Sequence, residues 1–158
     1  MNVLRMRRGV YDAIRVHGEE AYPQECCGAL LARAESGTEG GGRVIEDAVR
    51  AGNARTDSAH NRYQIAPAEL IKIEREARNQ GLEIAGFYHS HPDHPAHWSQ
   101  TDLAEAHWLG CSYVITAVEN GKAMETNSFR LGGGTEEDKR FELEIISTAD
   151  SSIDEPRC

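Results

Sequence analysis

The feature that most limits how this chain can fold is the segment HSHPDHPAHWSQTD, residues 89–102, which follows directly on the apolar run EIAGFY at 83–88. A short run of that kind, rich in bulky residues and preceded by Gly81, reads as a buried strand. In extended backbone, residues i and i+2 project to the same face. His89 and His91 therefore share one side at the strand's end. Ser99 and Asp102 stand at the S-x-x-D spacing of a capping box, with Ser99 at the N-cap and Asp102 in the first turn of a helix. Strand end, loop and helix start thus carry two imidazoles and a carboxylate that can converge.

Two imidazoles and one carboxylate hold a metal from one side and leave a fourth position open, which is the arrangement of catalytic rather than structural zinc. Taken singly, each piece has a plainer reading. A lone His-x-His is more often not a metal site, and Ser99 with Asp102 is what an ordinary helix cap looks like. The joint pattern is what separates them: His-Ser-His, seven residues from Pro92 to Trp98, then Ser-x-x-Asp.

The rest of the chain alternates helix and strand signals. Val10, Ile14 and His17 fall at helical spacing over 8–18, and Tyr22-Pro23 closes that helix. CCGALLA at 26–32 reads as a buried strand, joined through the glycine-rich SGTEGGGR turn to a second strand in VIEDAV, as a hairpin. A helix opens at Pro67, with Leu70, Ile73 and Ala77 on one face and Gly81 as its stop. A further helix is expected from Gln100 to Leu109, then strands in SYVITAV, through Phe129 and Leu131, and in FELEII. We expect one domain over 1–147 and a disordered tail over 148–158.

Charge narrows the function. A formal net charge of −9 at pH 7 disfavours a phosphate backbone as partner, so no nucleic acid is expected. No apolar run reaches the roughly 18 residues of a membrane span, and the first residues do not read as a signal peptide, so the expectation is a cytoplasmic protein with no membrane partner. Cysteines at 26, 27, 111 and 158 are then expected as mostly free thiols.

The pattern at 89–102 resembles the signature of the JAMM (MPN+) metallopeptidase family, and Glu25 in YPQECCGALL stands where that family places a glutamate before an early strand. The resemblance runs from about Tyr22, through RYQIAPAELI and GFYHSHP, to about Leu131. It implies an α/β fold with a mixed, curved sheet flanked by helices, similar to cytidine deaminases. It also implies one Zn2+ on His89, His91 and Asp102, with Glu25 as general base and acid and Ser99 stabilising the oxyanion. Without the resemblance, Glu25 is only a polar residue before a strand.

Only short segments separate Asn61 from His89 and Asp102 from Leu131. The chain is in this respect similar to compact bacterial-type members, which implies hydrolysis after the Gly-Gly tail of a ubiquitin-like sulfur-carrier protein. The alternative is a catalytically silent scaffold of the same fold. A zinc deaminase is disfavoured, because H-x-E with a later P-C-x-x-C is missing. His94 and His97 read as solvated loop residues. His17, His60 and His107 lack ligand spacing, and His107 reads as a position on the amphipathic helix. Cys26 and Cys27 read as small buried residues, and Trp98 as loop packing.

Overall fold

A computed structural model of the chain describes residues 2–33, 43–55 and 63–148. The SGTEGGG part of the expected turn, His60, Asn61, Cys158 and all but Thr148 of the expected tail lie outside them.

In order, the elements are β1 (Asn2–Met6), α1 (Arg8–Ala21), β2 (Cys27–Arg33), β3 (Val44–Ala51), α2 (Pro67–Asn79), β4 (Leu82–Pro92), α3 (Gln100–Glu105), β5 (Ser112–Glu119), β6 (Lys122–Gly132) and β7 (Arg140–Ser147). The sheet is mixed, as expected, but it closes on itself in the order β1-β3-β2-β4-β5-β6-β7. The closing strand is β1, which the sequence reading did not identify. Val3 pairs with Ile145 in a parallel β1–β7 ladder, and Arg5 pairs with Val44 on the other side. Both partners lie far away in sequence, and pairing of that kind leaves no local periodicity to read.

The hairpin of β2 and β3 forms antiparallel, Cys27 opposite Ala51. At the other end of the chain, Asn120 and Gly121 both adopt positive φ, 50° and 81°, and turn β5 back into β6. β4 is antiparallel to β2 and parallel to β5. The β4–β5 approach is close: a Cβ at Gly86 would lie 2.2 Å from the Ser112 carbonyl oxygen.

Alternation along β4 divides the core. Tyr88 faces α1, where Val10 and Ile14 bury against Leu30 and Val114. Phe87 faces α2, where Ile73 and Ala77 bury against Ala29 and Leu31. Ile14 is 1% exposed, and burying it contributes about 2 kcal/mol. The helical spacing expected for both α1 and α2 is present. His17, however, sits half-way in, with its Nδ1 2.8 Å from the Tyr88 hydroxyl, a polar tie between α1 and β4.

Two expectations are corrected. The helix expected over Gln100–Leu109 stops at Glu105, because Ala106 turns extended (φ −84°, ψ 120°). His107 is consequently not a helix position; it lies beyond α3 with its Nδ1 2.6 Å from Glu136. Among the described residues, no helix is long and apolar enough to cross a membrane.

Candidate metal centre

The apolar run continues as strand through the histidines, so that β4 ends only at Pro92. His89 and His91 therefore project from regular extended backbone to the face of the sheet that carries Phe87. Pairing with β2 carries Cys27 opposite His89. The ladder persists one step further, with the Ser90 N–H donating to the Cys26 carbonyl at 3.2 Å and the Cys26 N–H donating to Ser90 Oγ at 2.9 Å. Glu25, two residues before Cys27, is buried at 5% exposure, close enough to His91 and Asp102 for their charges to act on its carboxyl.

From Pro92 the chain loops outward through the exposed His94 and His97. Ala96 anchors this loop against Ile115 and Phe129, and its carbonyl accepts from Asn127 Nδ2 at 2.9 Å. Trp98 packs on Phe141 with ring centroids 5.5 Å apart, the loop-packing role expected for it. Ser99 then caps α3. Its Oγ accepts from the Asp102 N–H at 3.0 Å, and Asp102 Oδ2 accepts from the Ser99 N–H at 2.8 Å.

That helix start returns Asp102 to the histidines. His89 Nε2 and His91 Nε2 are 3.1 Å apart, His89 Nε2 lies 3.3 Å from Asp102 Oδ1, and His91 Nε2 lies 3.2 Å from Asp102 Oδ2. Donors held 2.0–2.1 Å from a tetrahedral ion are about 3.3 Å from one another, so this triangle has the size zinc requires. Among the described residues, these three side chains are the group able to hold a metal ion.

Protonation differs between the two histidines: burial lowers the pKa of His91, but the hydrogen bond and charge of Asp102, the Pro95 carbonyl and the charge of Glu25 outweigh it and raise it. His91 Nδ1 is 2.9 Å from the Pro95 carbonyl, which can only accept; Nδ1 therefore carries the proton and Nε2 offers its lone pair to the site. Burial holds the His89 imidazole below its usual pKa against the pull of Asp102, which keeps it neutral. Asp102 is held well below the carboxylate range: burial opposes this, but the charge and hydrogen bonds of His89, the hydrogen bond from His91 and the Ser99 N–H outweigh it. Glu25 differs. Burial pushes its carboxyl up to about 8; nearby His91 opposes the rise, and the charges of Asp102 and Glu105 add to it. Two carboxyls pushed in opposite directions near the same two histidines have the separation that acid–base chemistry needs.

Sequence reasoning missed Tyr63. Its ring stacks on His89 at 4.4 Å and 24°, closing that imidazole from the core side. The residue stood in the RYQIAPAELI stretch, but stacking on a ligand 26 positions later has no local signature. The same ring lines a cavity with Ile65, Phe87, Trp108 and Tyr113, which Arg55 and Glu105 also border. Cys26 and Cys27 are buried as expected, their thiols pushed up to about 11 and 12 chiefly by burial.

Comparison with known proteins places this geometry. Residues 7–132 match the family described as prokaryotic homologs of the JAB domain. A Thermus thermophilus protein named as a probable TtuB-protein conjugate cleaving protease is 30% identical over 122 residues, 77% of this chain and 75% of that one. A Haloferax volcanii protein named desampylase is 30% identical over 112 residues, 68% of this chain and 76% of that one. Among solved structures, a Salinibacter ruber protein is 33% identical with a TM-score of 0.67, covering 93% of this chain and 94% of that one. A JAB1/MPN domain protein from Archaeoglobus fulgidus shares the fold at 13% identity and a TM-score of 0.55, covering 93% of this chain and all of that one.

Proposed function

The chain belongs to the family of prokaryotic homologs of the JAB domain, and from that premise we propose that it is a zinc-dependent peptidase or isopeptidase that cleaves after the C-terminal Gly-Gly of a ubiquitin-like sulfur-carrier protein. The observation that carries the reading is the donor triangle of His89, His91 and Asp102, 3.1–3.3 Å on each side, with the buried Glu25 within reach of the charges of His91 and Asp102. The relatives named for cleaving TtuB conjugates and as desampylase support a protein-conjugate substrate.

Zinc held by these three residues would supply Lewis-acid polarisation of the scissile carbonyl and a more acidic water. Glu25 accepts the proton of the attacking water at a carboxylate oxygen and returns it to the departing amine. Burial raises its carboxyl to about 8, so it holds a proton near neutral pH and can give it up to a departing amine. Ser99 Oγ already accepts from the Asp102 N–H, so its hydroxyl proton is free to donate to the developing oxyanion. His91 is kept in register by its bond to Pro95. Glycine at the cleaved position permits the close backbone approach that a side chain would block.

The test is to incubate zinc-loaded protein with ubiquitin-like carriers extended past Gly-Gly and follow product masses against Glu25→Gln. Release of the extension with the carrier ending in Gly-Gly is expected. Cleavage elsewhere, or equal cleavage after the penultimate glycine is made bulky, overturns the tail reading. No cleavage by zinc-loaded wild type overturns the enzyme reading.

A further inference from the structure

α3 carries both Asp102 and Ser99, yet it is six residues long and none of them is fully buried. Its capping box fixes Asp102 relative to Ser99 only, and that pair moves with the helix. Leu103 packs partly buried against the core around Phe87, but one apolar contact leaves the helix free to rock, and a ligand carboxylate has to be placed within about 0.5 Å.

The far end of the helix shows what steadies it. A helix terminus leaves its last carbonyls without intrahelical partners, and α3 has no basic residue in its last turn. Lys139, on the segment between β6 and β7, reaches back to that end. Its Nζ donates to the Ala106 carbonyl at 2.9 Å and to the Ala104 carbonyl at 3.1 Å. The third ammonium proton faces Glu136 Oε2 at 2.7 Å, so all three donors are used. The side chain is only 10% exposed. Glu136 in turn meets His107 Nδ1 through its other oxygen at 2.6 Å. The remaining polar tie from α3 to a distant segment among the described residues, apart from Asp102 itself, is Arg55 to Glu105 at 2.7 Å. Its cation is the more exposed of the two, 23% for Arg55 against 10% for Lys139.

We propose that Lys139 is a positioning residue of the metal centre: by tying the C-terminal carbonyls of α3 to the β6–β7 segment, it holds the Asp102 carboxylate against His89 and His91. The inference rests on the reading of those three residues as metal ligands. A cation in this place does two things at once. It satisfies carbonyls that the short helix cannot satisfy, and it complements the negative end of the helix. Its effect is therefore felt as donor alignment, in the way that groups supporting a ligand change metal affinity about 10- to 100-fold.

The experiment is zinc titration of chelator-stripped protein against a competing chromophoric chelator, for wild type, Lys139→Met and Lys139→Arg, with melting of each metal-free protein alongside. Lys139→Met is expected to raise the zinc Kd about tenfold or more, and Lys139→Arg, which keeps the charge and the donors, to restore most of the affinity. If Lys139→Met melts earlier without zinc but binds zinc as tightly as wild type, Lys139 is only a helix cap and the proposal is overturned. Equal loss in Lys139→Arg and Lys139→Met overturns it as well. Glu136→Gln, which loosens the ammonium from an exposed position, is expected to shift Kd in the same direction; should Lys139→Met fail to fold, an unchanged Kd in Glu136→Gln overturns the proposal. Wild type that takes up no zinc instead overturns the metal-centre reading beneath it.

Discussion

Ser99 and Asp102 close a reciprocal pair of hydrogen bonds, 2.8 and 3.0 Å long, across the first turn of α3, and the same Asp102 carboxylate reaches both His89 and His91. The helix cap and the candidate ligand are one group. A capping box and a metal site compete as explanations of S-x-x-D when only the sequence is in view; here one carboxylate can serve both.

Ser99→Ala removes the Oγ that accepts from the Asp102 N–H. It is expected to cost about 1 kcal/mol of stability through the lost cap. Turnover should fall more than the cap accounts for, because the oxyanion donor goes with it, while zinc stays bound. Melting, zinc content and turnover measured on one preparation separate the effects. Unaltered turnover with a lowered melting point would leave Ser99 as a cap alone.

Wild type is expected to bind about one zinc, and His89→Ala, His91→Ala and Asp102→Ala each to weaken it strongly, since a three-ligand site has no spare donor. The fold should survive in all three, because the cores on either side of β4 do not depend on the ion. Metal analysis and circular dichroism test this; full zinc occupancy in any of the three removes that residue from the site.

Glu25→Gln is expected to keep zinc and lose at least about a hundredfold in turnover. It should also alter the pH dependence of the metal-free fold. Burial raises the Glu25 carboxyl from 4.5 to about 8, so between those values the folded protein holds a proton that the unfolded chain releases. Stability then falls as pH rises through that window. The neutral amide escapes this loss, and Glu25→Gln should gain on the order of 4 kcal/mol over wild type between about pH 5 and pH 9. Urea unfolding of chelator-treated protein at both pH values gives the comparison. A constant difference between the two proteins would mean that Glu25 is ionised in the fold throughout.

Much of the site was legible because its signals are local. Period-two alternation puts His89 and His91 on one face, and three residues of helix turn link Ser99 to Asp102. Glu25 was legible only through resemblance; its burial near His91 depends on how β2 pairs with β4, to which no single stretch of sequence bears witness. Tyr63 and Lys139 were not legible at all, since one touches a ring 26 residues on and the other touches carbonyl oxygens, which every residue has.

The sequence by itself determined the spacing of the candidate metal donors, the starts of α1, α2 and α3, and the strands β2 to β7, because propensity, periodicity and capping act over a few neighbouring residues. It did not determine that β1 would close the sheet between β3 and β7, that α3 would stop at Glu105, or that the donors would meet at 3.1–3.3 Å. Those outcomes belong to the tertiary structure, because they are set by strand register and by hydrogen bonds between residues far apart in the chain, whose energy exists only once the barrel has formed.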